Sequence, residues 1–141
     1  MQLTKKSSYG LIAALELASN EVESPLSASA IADRYSLPHS FVEKILHQLK
    51  QAGLVTSTQG RKGGYRLAES PHRITVRQVL EALDESLDLV GCLGAGSPCE
   101  LTQICPTKRA WERIDRRFKE TLDSLSLGDL TESEQASRDA G

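Results

Sequence analysis

The chain has 141 residues, 39% of them hydrophobic, and a formal charge of −2. That length suits one domain with an appended helix, and it buries enough surface to fold without disulfides. There is no long apolar run and no secretory h-region in MQLTKKSSYG, so neither a bilayer span nor signal-led export is expected, and the cytoplasm is.

The charge is uneven. Residues 1–66 carry eight Lys/Arg against five Asp/Glu, and residues 67–141 carry nine against fourteen. The first half is the one expected to face an anion.

The first segment, KKSSYGLIAALELASNE, has apolar residues at helical spacing: Tyr9, Ile12, Ala13, Leu15 and Ala18. Ser7 or Ser8 is the expected cap, and Pro25 closes the polar loop that follows. A short helix is predicted through Arg34, capped by Ser27 or Ser29, with Ala28, Ile31 and Ala32 inward. Ser36, Leu37 and Pro38 break it. A second helix begins at His39 or Ser40. Its inner face is Phe41, Val42, Ile45, Leu46 and Leu49. Its outer face is His39, Ser40, Glu43, Lys44, His47, Gln48 and Lys50. Gly53 ends it at the position where a left-handed residue is needed.

Two β-prone runs, LVT and YRL, then flank QGRKGG, whose glycines allow a sharp hairpin. Two short helices at a tight turn followed by a glycine-tipped hairpin describe a winged helix-turn-helix in a mainly α chain. The second helix suits the DNA major groove. His39, Ser40, Glu43 and Lys44 are its candidate contacts. Arg61 and Lys62 sit at the wing tip, and Lys5 and Lys6 at the start of the first helix. A helix-turn-helix that binds only proteins is the alternative reading.

Thr75 is the expected cap of another helix, with Val76, Val79, Leu80 and Leu83 inward. The stretch CLGAGSPCELTQICPTK follows and holds every cysteine of the chain: Cys92, Cys99 and Cys105. Three cysteines cannot all pair, and reduced cytoplasmic thiols favour a metal or redox role. The gaps of six and five residues are wider than a zinc knuckle uses. They suit a glycine-rich loop around an iron–sulfur cluster, and Cys105 stands just before a helix N-terminus, which favours thiolate. Incidental thiols in a linker are the other reading.

A long helix is expected from Thr107, with Trp111, Ile114, Phe118, Leu122 and Leu125 on one stripe. Such a stripe is too apolar to leave exposed and is expected to pack against a second copy. The polar end, DLTESEQASRDAG, is expected to be disordered. The domain reading is therefore 1–90 DNA-binding, 91–106 cysteine loop, 107–130 dimerisation helix and 131–141 tail. No Cys-x-x-Cys pair or Cys/His/Asp arrangement marks an enzyme.

The ordered set of helix, helix-turn-helix, GRKGGYRLA wing, VLEALDESLD, C-x6-C-x5-C loop and long helix ending in SLGDL resembles the Rrf2-type family of bacterial iron–sulfur transcription regulators. The resemblance spans roughly residues 1–130. It implies a homodimer that binds a pseudo-palindromic duplex. It implies a cluster held by Cys92, Cys99 and Cys105, with 2Fe–2S favoured over 4Fe–4S, whose state alters DNA binding. It implies DNA reading by Glu43 and Arg61. One branch has a histidine three residues after the last cysteine; here that position is Lys108, and protonated lysine has no lone pair to donate. Another branch uses a carboxylate near position 8, where this chain has Ser8. The fourth ligand is left open. The rival function is a protein-binding winged-helix adaptor with a structural zinc.

Overall fold

A computed structural model describes residues 4–20, 24–84, 87 and 106–140. Helix α1 spans Lys5–Ser19, and Thr4 rather than Ser7 or Ser8 caps it, its hydroxyl accepting from the Ser7 N–H at 3.2 Å. The buried face is Ser7, Gly10, Ala13, Ala14 and Leu17, rotated from the expected stripe. Small residues take the centre because α1 packs closely on neighbouring helices. A β-carbon on Gly10 would lie 2.2 Å from Leu83 Cδ1. Tyr9, Leu15 and Ala18 of the expected stripe are half-buried and pack against the core from its edge.

Helix α2 (Ala28–Tyr35) starts at Ser27, whose hydroxyl accepts from Ala30 N–H at 3.0 Å. It ends at Ser36 in the left-handed region, φ 53°, and Leu37 N–H returns to Ala32 carbonyl at 2.8 Å. That wrap turns the chain sharply and tucks Leu37 against the core. Glu16 of α1 fixes the outer side of α2, pairing with Arg34 at 3.2 Å and accepting from the Tyr35 hydroxyl. Burial, followed by that hydrogen bond, holds the Tyr35 phenol above its ordinary pKa.

Helix α3 (His39–Gln51) buries Val42, Ile45, Leu46 and Leu49. Phe41 meets the Tyr9 ring edge-on, centroids 5.6 Å apart. Its end is a Schellman motif: Leu54 N–H bonds Leu49 carbonyl at 3.0 Å, Gly53 N–H bonds Lys50 carbonyl at 2.9 Å, and Gly53 has φ +81°. Gln48, expected on the outer face, is half-buried, and its Oε1 is buried without a hydrogen-bond partner among the described residues.

Strands β1 (Val55–Thr58) and β2 (Gly64–Leu67) form an antiparallel hairpin with Val55 opposite Leu67 and Thr58 opposite Gly64. Leu26 adds a bridge to Tyr65 on the free edge of β2. A 3-10 turn, Pro71–Arg73, leads to α4 (Val76–Ala82), where Thr75 and Gln78 form a capping box.

The C-terminal part departs from expectation. The long helix is two helices, α5 (Lys108–Ser124) and α6 (Leu127–Ala140), so residues 131–140 are helical where their polarity predicts disorder. The reason is tertiary. Val76 N–H bonds Leu125 carbonyl and Leu127 N–H bonds Ile74 carbonyl, both at 2.9 Å, so the chain between the helices docks on the start of α4. Ser126 and Asp129 then cap α6 reciprocally at 3.1 and 3.0 Å, and Leu127 is fully buried. With that first turn nucleated, the polar residues need only propagate it. Among the described residues, no helix is long and apolar enough to cross a membrane.

Candidate nucleic-acid interface

Helix α3 lies on the core with its apolar stripe, so its other side is forced outward. From that side Ser40, Glu43, Lys44, His47 and Lys50 line an open groove of about 700 Å³. Ser27 and Ser29, at the start of α2, form one end of it. Ser57, Thr58 and Gln59 of the wing, with Gly64 and Tyr65, form the opposite wall. The lining is rich in hydroxyls, with two lysines and one carboxylate. The positive end of the α2 dipole opens beside it.

Wing and groove are positioned together. Tyr65 exchanges backbone hydrogen bonds with Leu26 at 2.7 and 3.0 Å, immediately before the Ser27 cap. A β-carbon on Gly64 would lie 2.4 Å from the Leu26 carbonyl oxygen, so only glycine allows this approach. At the tip, Arg61 and Lys62 are exposed between Gly60, φ +111°, and Gly63.

Of the residues expected to meet DNA, the fold gathers Ser40, Glu43 and Lys44 into one groove. Arg61 and Lys62 project beyond its wall, and Lys5 and Lys6 lie on the first turn of α1, outside its lining. His39 stands at the first position of α3, where Pro38 provides no side-chain cap. Its Nε2 lies 2.7 Å from Asp33 Oδ1, so the pair spans the turn. His47 and Lys50 were legible on the outer face from helical spacing, yet were absent from the expected contact set. Ser27, Ser29, Ser57, Thr58 and Gln59 reach the groove only through tertiary packing and had no sequence signal.

The stripe on α5 divides. Trp111 is 39% and Ile114 49% exposed, and Phe118 is half-buried. Leu122 instead packs on the chain's own Val76, Leu80 and Leu87. Leu125, expected to continue the stripe, is the extended residue that ends α5. Asp115 is the buried residue of α5 and pairs with Lys119 at 3.0 Å. Cys92, Cys99 and Cys105 lie outside the described residues. Among the described residues there is no group of three or more His, Cys, Asp and Glu that could hold a metal.

Comparison with known proteins agrees with this architecture. Residues 3–133 match the family model described as Rrf2, iron-dependent transcriptional regulator. The HTH-type regulator IscR of Vibrio campbellii is 35% identical over 130 residues, covering 92% of this chain and 77% of that protein. The solved structure of CymR, the global cysteine regulator of B. subtilis, superposes with a TM-score of 0.78 at 32% identity, covering 94% of this chain and 98% of that one. That of T. potens IscR gives 0.76 at 31% identity, covering 97% and 90%. A winged helix with this sequence and this coverage belongs to the Rrf2 family of transcriptional regulators.

Proposed function

We propose that this protein is a homodimeric, iron–sulfur-dependent regulator that binds a pseudo-palindromic duplex through α3 and the wing. The observation that carries the DNA reading is the groove joining the outer face of α3, the start of α2 and the wing. Hydroxyls and lysines there suit phosphate and base-edge contacts, and Glu43 can accept from the cytosine exocyclic amine. Arg61 and Lys62 extend the contact past the wing wall, and Lys5 and Lys6 add cationic charge at the start of α1. His39 immediately precedes Ser40 of the groove lining.

The exposed Trp111 and Ile114, with Phe118 beside them, are the proposed dimer surface. A two-fold axis there sets two copies of α3 on half-sites about one helical turn apart. Leu122 belongs to the anchoring of α5 on its own domain rather than to that surface, and the Leu125 carbonyl joins that anchoring while its side chain stays exposed.

Cys92, Cys99 and Cys105 are the proposed cluster ligands. The donor set fits: three thiols within one glycine-containing stretch, at spacings wider than a zinc knuckle. The iron-dependent description of the family points the same way. Lys108 is not a donor, so either a fourth ligand comes from elsewhere or the cluster keeps an exchangeable one; 2Fe–2S is favoured over 4Fe–4S. When bound, the cluster supplies a redox- and ligand-sensitive cross-link among the thiolates. The protein's own part is mechanical. The cysteine segment joins α4 to α5, while the far end of α5 is hydrogen-bonded to the start of α4 through Leu125. Its other end, next to Cys105, is where a change in the loop would alter the angle of α5.

The test is anaerobic purification with iron, sulfide and zinc analysis, followed by selection from a randomised duplex pool with loaded and apo protein. Enrichment of a two-fold-symmetric site by one form, with iron and sulfide present, is the expected result. One zinc and no enriched sequence would favour the adaptor reading.

A further inference from the structure

We propose that Asp33 positions His39 as a proton-dependent phosphate contact, so that operator affinity rises on mild acidification. The inference rests on the reading that α3 meets DNA, and it adds a residue and a dependence that reading does not contain.

The geometry is specific. His39 opens α3, the helix whose outer face lines the groove, and Asp33 lies on the last turn of α2. The 2.7 Å contact uses Nε2, and a carboxylate can only accept, so Nε2 carries the proton and Nδ1 is left for the outside. Both side chains are largely exposed, His39 at 53% and Asp33 at 71%. The pair thus sits on the surface, with His39 next in sequence to Ser40 of the groove lining, and not in the core.

Neutral imidazole bound to Asp33 presents an acceptor nitrogen and a nearby carboxylate to a phosphate, and both are unfavourable. Imidazolium presents a second N–H and neutralises the carboxylate. Only the protonated pair can bridge Asp33 to a phosphate, so binding DNA there takes up a proton. Histidine is the side chain whose charge ordinarily changes between about pH 5 and 8.

Other charged groups lie on α3 and on the elements packed against it. On α3 itself they are Glu43, Lys44, His47 and Lys50. On α1 they are Lys5, Lys6 and Glu16, the last paired with Arg34 and Tyr35. On α2, Arg34 is thereby engaged; on α4, Arg77 and Glu81 pair with each other at 2.9 Å. Strand β1 has no charged residue. His47 is the other histidine on these elements, and it lies two turns further along α3, inside the groove.

The test is fluorescence anisotropy with a labelled duplex carrying the best selected sequence, using full-length protein at about pH 6 and about pH 8 and matched ionic strength. Wild type should bind roughly three- to tenfold tighter at the lower pH. His39→Gln should lose that gain, and His72→Gln, outside the groove lining and paired with Glu132, should keep it. Asp33→Asn, which retains an acceptor without the charge, should bind more tightly than wild type at the higher pH and flatten the profile. A plain turn staple predicts otherwise: both Asp33→Asn and His39→Gln would lower the melting temperature and lose affinity equally at both pH values. That result, or a wild-type profile unaffected by His39→Gln, overturns the inference while leaving DNA binding intact. Wild type with no selectable sequence at either pH overturns the DNA reading and this inference with it.

Discussion

Gly64 of the wing lies so close beneath Leu26 that a β-carbon would stand 2.4 Å from its carbonyl oxygen and 2.5 Å from its carbonyl carbon. The obstacle is backbone, which cannot rotate away as a side chain can. Gly64→Ala should therefore separate β2 from Leu26 and break the paired hydrogen bonds to Tyr65. We expect a loss of about 1–3 kcal/mol in chemical denaturation. We also expect weaker DNA binding, because the same contact sets the wing against the Ser27 end of the groove. Wild-type stability and affinity in this variant would show that the wing is held by other contacts.

The cap of α6 makes a second test. Ser126→Ala should cost about 1 kcal/mol and lower helix content. Asp129 is held below the ordinary carboxylate range by hydrogen bonds from the Ser126 backbone, then from its side chain. A depressed folded-state value means the stabilisation is present above the unfolded value of about 4 and is lost as pH falls through the folded one. Circular dichroism of α6 should therefore decline on acidification below about pH 4. In Asp129→Asn that component of the decline should be missing.

Much of this was legible because it is local. Ser27, Thr75 and Gly53 announce their helix ends through their own side chains or lack of one. The inner face of α3 follows from spacing alone. The phase of α1 was misread because its deepest residues, Ser7, Gly10, Ala13 and Ala14, are small or polar, and their burial comes from helix–helix approach rather than hydrophobicity. The tail failed for a related reason. Ser126 and Asp129 form a capping pair in sequence, but what fixes them is a pairing with Ile74 and Val76, some fifty residues earlier. Leu122 shares the spacing of Trp111 and Ile114, and only the fold separates its inward use from their outward one. The groove was half legible: Ser40, Glu43 and Lys44 follow from one helix, while Ser27 and Thr58 require two further elements to converge.

The wing tip separates reading from positioning. Arg61→Ala should weaken the best selected site by about 1–3 kcal/mol and relax selectivity at one base position. Lys62→Ala should weaken all sequences similarly and flatten the dependence of log Kd on log salt by about one. Equal losses on every sequence for both variants would make Arg61 a phosphate contact as well.

The two parts of the α5 stripe should respond differently. Phe118→Asp places a charge beside Trp111 and Ile114 and should shift sedimentation from dimer to monomer. Leu122→Ala should leave the dimer and instead lower stability by about 1–2 kcal/mol, less than a fully buried leucine would cost. A stable dimer in Phe118→Asp would place the interface on another face.

The cysteines provide the last prediction. Serine is nearly isosteric with cysteine but a far weaker ligand for soft metals. If Cys92, Cys99 and Cys105 hold one cluster, each serine variant should lose its visible absorbance and its iron and sulfide together. Lys108→Ala should keep them, since a protonated lysine has no lone pair to donate. The DNA consequence follows from linkage: a bound group shifts the DNA-competent population only by its differential affinity for the two arrangements. All three serine variants should therefore match wild-type apoprotein against the selected duplex, and match one another. Unequal behaviour among them would mean that a cysteine acts on DNA binding by another route. Retained iron and sulfide in all three would remove the cluster from these residues. Loss of the cluster with unchanged affinity would leave it bound to the protein but not the switch.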